Sequence, residues 1–193
     1  MVCVVKVLLG VTGSVAATLT PQLVAELTKR GHGVQVVSTA HATYFFDPTT
    51  LGIRVWQDAQ EWEGERYVRD QEIPHIELRR LADALIIAPL SANTLAKLAS
   101  GQCDNLLTSV VRAWDRTKPI VVAPAMNTHM WEHPATQEHL TKLHGWYPGL
   151  TIVDPIAKRL ACGDDGTGAL APIASIIAAV ARAERPRATT PAR

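Results

Sequence analysis

The chain has too few cysteines, too widely spaced, for a disulfide framework. Only Cys3, Cys103 and Cys162 occur, an odd number with no CxxC among them. This also argues against a Cys-type zinc site and fits a reducing, cytoplasmic compartment. Long apolar runs are missing too: no stretch approaches the roughly 20 residues that span a bilayer. The apolar opening MVCVVKVLLGV is short, is interrupted by Lys6 and lacks a cleavage pattern, so no targeting peptide or membrane anchor is expected. Charge of one sign is absent as well. Lys+Arg 19 against Asp+Glu 18 leaves a formal net charge of +1. With no interleaving of aromatic and basic residues, neither nucleic acid nor an anionic membrane is the expected partner.

Several catalytic signatures are also absent. No HExxH surrounds the histidines, and His129 and His133, four apart on one expected helix, have no acidic third ligand, so they read as surface residues rather than a metal site. No GxSxG occurs, which leaves hydrolysis by a serine nucleophile unsupported. The first glycine-rich loop is neither GxGxxG nor a P-loop.

The remaining composition is that of one ordinary domain. The 193 residues are 47% hydrophobic, with mean hydropathy +0.07, enough for a substantial core in a soluble globule. Short β-branched runs alternate with helical segments. Strands are expected at about residues 4–9, 34–38, 84–88, 119–123 and 151–153. Helices are expected at 15–30, after Pro74, through about 99, at 104–114, from about 128, and at 172–182. Gly31 and Gly33 stop the first helix. Residues 47–72 read as irregular, and residues 183–193 as a disordered tail after a domain of residues 1–182. Met1 and this tail suggest a stand-alone chain. The runs ALIIA and PIVVA are continuous apolar strands of the kind buried on both faces. The alternation predicts an α/β fold, a parallel sheet covered on both faces in a single domain. Ligands then bind beyond the carboxyl ends of the strands.

The residues just after the strands are small, polar or turn-forming. GVTGS places Gly13, Ser14 and the Val15 amide at a helix start, suited either to a tight turn with a serine cap or to a phosphate. Ser91-Ala92-Asn93-Thr94 repeats the arrangement, with capping or ligand binding again both open. His75 stands at the start of a short helix, as a surface or capping residue or as a neutral base. Asn127, in PAMN, could cap a helix or donate to a carboxylate at the pocket edge. Cys162 lies in KRLACGDDGTGA, a glycine-rich stretch read as flexible backbone. A thiol there suggests chemistry on a closing flap more than a structural core cysteine.

Together these segments resemble the flavin-containing cysteine decarboxylases. The carriers are GVTGSVAA (10–17), PHIELRRLAD (74–83), APLSANTLAKLASGQCDNLLTSVVRAWD (88–115), APAMNTHMWEHP (123–134) and KRLACGDDGTGALA (158–171). The resemblance implies a flavodoxin-like (Rossmann-type), doubly wound parallel sheet and an FMN cofactor, contacted by Gly13, Ser14, Val15, Ser38, Thr39, Phe45, Ser91, Ala92, Asn93, Thr94, Ala125 and Met126. It implies His75 as base, Cys162 as proton donor, Asn127 as ligand of the substrate carboxylate, and Arg159, Leu160 and Ala161 as a clamp over the substrate. It further implies a homotrimer with sites between subunits. The implied reaction is decarboxylation of 4'-phospho-N-pantothenoylcysteine to 4'-phosphopantetheine in coenzyme A biosynthesis. Chemically the parts belong together. A cysteine whose nitrogen is in an amide has no electron sink for the Cα carbanion, and flavin-dependent oxidation at Cβ creates one as C=S. Decarboxylation of a peptide's C-terminal cysteine, or a regulatory role of the phosphatase-inhibitor type, would use the same fold.

Overall fold

The computed structural model describes residues 5–159, 163 and 165–183. The chain runs β1 (Lys6–Val11), α1 (Thr20–Lys29), β2 (Gly33–Ser38), β3 (Val55–Trp56), α2 (Asp58–Glu61), α3 (Pro74–Leu81), β4 (Ala84–Leu90), α4 (Ala92–Ser100), α5 (Leu106–Arg112), β5 (Ile120–Pro124), α6 (Thr128–Glu132), α7 (Pro134–Trp146), β6 (Leu150–Ile152), β7 (Ile156–Arg159), β8 (Asp165–Ala169) and α8 (Ile173–Ala183). Six strands form one sheet in the order β3-β2-β1-β4-β5-β6, and every neighbouring pair is parallel. This is the parallel sheet that the alternation predicts, and the doubly wound, flavodoxin-like fold that the resemblance implies. The order reverses between β1 and β4, so their carboxyl ends form the crevice where such folds bind ligands.

Burial on both faces explains the unbroken apolar runs. Along β4, Ile86 and Ala88 enter one core with Leu23 and Leu27 of α1 and Ile176 and Val180 of α8. Leu85 and Ile87 enter the other, with Leu78 of α3, Leu95 of α4, Leu107 of α5 and Leu140 of α7. Alternate residues of an extended chain face opposite sides, so a strand covered twice must be apolar throughout. Each such buried Leu or Ile contributes roughly 1.5–3 kcal/mol.

Four local expectations change. The first helix is broken: Val15–Leu19 is a 3-10 turn and α1 starts at Thr20, where Pro21 fits a first turn that needs no amide donor. The helix expected from residue 128 is two helices, so His129 and His133 do not share one; His133 instead caps α7, its Nδ1 accepting from the Ala135 amide at 3.2 Å. Within 47–72 the chain adds an edge strand, β3, whose Trp56 Nε1 donates to Gln35 at 3.0 Å, and the turn α2. The glycine-rich stretch expected to be loop is largely an antiparallel hairpin of β7 and β8. Cys162, Leu160 and Ala161, and the tail from residue 184, lie outside the described residues, while Ala183 ends α8.

Candidate active site

Thr12 fastens the crevice. Its buried hydroxyl donates to the Pro89 carbonyl and accepts from the Ser91 amide, each at 2.8 Å. The loops after β1 and β4 are thereby locked side by side. Ser14 extends the seam to β5, donating to the Ala125 carbonyl at 3.1 Å. The Ala125 amide in turn donates to the Leu90 carbonyl at 3.0 Å. Three strand ends thus converge through hydrogen bonds that no single segment of sequence reveals.

Two cavities flank this seam. One, of about 400 Å³, is walled by Gly13, Thr39, His41, Ser91, Asn93 and Thr94, with Asp58 and the Lys97–Asp104 ion pair at its rim. Hydrogen bonding from Lys97 holds the Asp104 carboxyl below the ordinary aspartate range. Ser91 caps α4 by accepting from the Thr94 amide at 3.3 Å. At Gly13 a Cβ would stand 2.7 Å from the His41 Cβ, so only glycine lets this wall close up. The other cavity, of about 620 Å³, is lined by Ser14, Val15, Met126, Asn127, Arg159 and Gly168, among others. Both volumes fall in the usual range for small-molecule sites. A third, of about 280 Å³, lies at the opposite edge of the sheet, at the amino ends of β1 and β2.

The hairpin roofs the larger cavity. The Met126 amide donates to the Gly168 carbonyl at 3.0 Å, and Asn127 caps α6, its Oδ1 accepting from the His129 amide at 2.9 Å. A Cβ at Gly168 would lie 2.2 Å from the Met126 carbonyl oxygen, and one at Gly166 would lie 2.5 Å from Thr128 Oγ1. The glycines of the hairpin therefore serve close backbone approach.

The Flavoprotein family model matches residues 4–184. Mouse (Mus musculus) phosphopantothenoylcysteine decarboxylase is 48% identical over 176 residues, covering 91% of this chain and 85% of that protein. The chain belongs to the phosphopantothenoylcysteine decarboxylase family. The rice (Oryza sativa subsp. japonica) decarboxylase is 49% identical, over 86% of this chain and 74% of its own. Among solved structures, a cysteine-to-serine variant of PPC decarboxylase complexed with pantothenoylaminoethenethiol superposes with TM-score 0.87 at 46% identity, covering 92% of this chain and 97% of that one. The FMN binding protein AtHal3 gives TM-score 0.82 at 47% identity, with 91% and 94% covered.

Against this decarboxylase family background, the structure gathers most of the expected residues but not all. Gly13, Thr39, Ser91, Asn93 and Thr94 share the smaller cavity; Ser14, Val15, Ala125, Met126, Asn127 and Arg159 share the larger. Ser38, Phe45 and Ala92 line neither. Ser38 is fully buried one residue before Thr39, its hydroxyl without a partner. Phe45 packs against the core beside α1 and α8 and edge-on to Tyr44. His75 also lines neither cavity; its ring pairs with Glu61. The sequence reading passed over Thr12, Glu61, His41 and Gly168. A threonine ending an apolar strand was a usable signal for Thr12, because a buried hydroxyl needs partners. Nothing local pairs Glu61 with His75, fourteen positions away.

Proposed function

We propose that the protein is an FMN-dependent decarboxylase converting 4'-phospho-N-pantothenoylcysteine to 4'-phosphopantetheine, working in the cytoplasm as a homotrimer with sites between subunits. One observation carries this reading: Asn127, Arg159 and the glycine hairpin meet around one cavity that shares the Gly13–Ser14 loop with a second, polar cavity. Family membership over residues 4–184 supports it.

The residues fit a flavin mononucleotide. The polar cavity offers the hydroxyls of Thr39, Ser91 and Thr94 and the start of the nine-residue helix α4, donors that suit a phosphate and a ribityl chain. Gly13 lets the loop after β1 close against His41 on the cavity wall. When bound, FMN supplies reversible hydride acceptance at the substrate's Cβ. The chain's own residues do the rest. Asn127 lines the larger cavity and caps α6 through its side-chain oxygen; in this reading it is the ligand of the carboxylate that leaves as CO2. Arg159, at the end of β7 and exposed on the cavity rim, offers its guanidinium to the anionic substrate. Cys162, which lies outside the described residues, is in this reading the proton donor to the decarboxylated carbon. His75, outside both cavities of its own chain, would take the thiol proton in the site of a neighbouring subunit.

The test is an absorbance spectrum of the purified protein with mass spectrometry of the product. A yellow protein that removes CO2 from the pantothenoylcysteine substrate is expected. A colourless, FMN-free protein, or one that decarboxylates only a peptide's C-terminal cysteine, would overturn the reading.

A further inference from the structure

Glu61 contacts His75 twice. Its Oε1 pairs with the imidazole Nδ1, and its Oε2 accepts from the His75 backbone amide at 3.2 Å. The carboxylate is nearly sealed, with 6% of its side chain exposed, whereas the His75 side chain keeps 26% exposed. Among the described residues, Glu61 makes no other side-chain hydrogen bond or ion pair. A buried carboxylate with one committed partner is expensive unless that partner answers its charge.

We infer that Glu61 is the positioning residue of the catalytic base: it fixes the His75 tautomer and carries the balancing charge when the ring is protonated. The inference rests on the reading of His75 as that base. An ionised carboxylate only accepts hydrogen bonds, so Nδ1 facing it must bear the hydrogen. In the neutral ring the lone pair then sits on Nε2. When the substrate's S–H bond breaks, the proton bonds to Nε2, and the resulting imidazolium lies against the Glu61 negative charge instead of standing alone. The second contact fixes the ring's direction, because the same carboxylate grips the backbone from which the ring springs.

Local structure agrees. Ile73, at the cap of α3, provides no side-chain cap, so Glu61 takes that place from another element. Its own turn, α2, is stiffened by the reciprocal Gln57–Gln60 capping box. Asp58, on the same turn, accepts from the Leu106 amide at 2.9 Å and borders the polar cavity. The turn that aims His75 is thus anchored to the wall of the candidate cofactor site.

A helix-capping role alone would account for the backbone contact, so the test must separate the two. Glu61→Gln keeps an oxygen for the His75 amide but turns an N–H donor toward Nδ1, which demands the opposite tautomer. In the FMN-loaded enzyme, kcat for CO2 release should fall by roughly 10²-fold or more while KM and the flavin spectrum stay near wild type. Nitrogen-15 NMR of labelled histidine should show Nδ1–H in the wild type and Nε2–H in the variant. The wild-type measurement alone decides if the variant does not fold: an Nε2–H tautomer there overturns the inference. Unchanged kcat in Glu61→Gln beside an inactive His75→Asn overturns the Glu61 role and leaves His75 as base. Full activity in His75→Asn instead removes the base assignment itself, and the inference with it.

Discussion

Gly168→Ala should disable the hairpin roof, and the cost follows from one contact. The added Cβ would sit 2.2 Å from the Met126 carbonyl oxygen, about 1.3 Å inside the roughly 3.5 Å at which nonbonded heavy atoms touch. The obstacle is backbone, so no side-chain rotation relieves it. Overpacking of this kind costs about 1–3 kcal/mol. Lifting the hairpin away would also break the Met126–Gly168 hydrogen bond of 3.0 Å, worth about 1 kcal/mol. A total of roughly 2–4 kcal/mol has two places to go. If the whole fold bears it, Tm drops by about 4–16 °C, at 2–4 °C per kcal/mol for a chain of this size. If the hairpin lifts instead, Tm holds and KM rises by about 30- to 700-fold, because 1.4 kcal/mol is a factor of ten. Thermal unfolding of the FMN-loaded protein and steady-state kinetics measure both. Gly145→Ala is the control: nothing lies within 4 Å of its added Cβ, and it should be neutral or stabilising by up to about 1 kcal/mol in α7. A Gly168→Ala enzyme with wild-type Tm and KM would refute the reasoning.

Thr12→Val is nearly isosteric but removes both contacts of the crevice seam, stranding the Pro89 carbonyl and the Ser91 amide. Urea unfolding should show a loss of about 2–4 kcal/mol, with FMN released at lower urea than in the wild type. Cys162→Ser should remain yellow and still release CO2 but accumulate the unreduced product, as mass spectrometry of the reaction mixture would reveal; a normal yield of reduced product would remove Cys162 from the proton-donor role. Burial, aided by the Arg30 charge, holds the His32 imidazole below its usual range. The unfolded chain therefore binds the extra proton first, and stability should decline as pH falls below about 6.5. The urea midpoint between pH 7.5 and 5 should fall less steeply in His32→Leu than in the wild type.

Legibility followed the range of the interactions. ALIIA and PIVVA announced β4 and β5 because a doubly covered strand has no polar position. Ser91 and Asn127 announced their helices because a cap acts within three residues. The hairpin did not announce itself. Its strands carry IAKR and DGTGA, with little apolar alternation, and they are held by backbone approach to residues 126–128 rather than by their own side chains. β3 was equally silent, since two residues show no period and its existence depends on pairing with β2. α6 and α7 read as one helix because the break falls at His133-Pro134, where proline begins a helix as readily as it ends one.

The order of elements, the two-sided core and the crevice at the strand ends were set by the sequence, through periodicities and caps that act over a few residues. So was the inventory of chemical groups near that crevice. Which groups meet was a matter for tertiary structure. Thr12 touches residues 77 and 79 positions away, Ser14 touches one 111 positions away, and Glu61 finds His75 only after α2 has packed against α3. Contacts across such separations depend on where the sheet carries each strand end, and no local pattern encodes them.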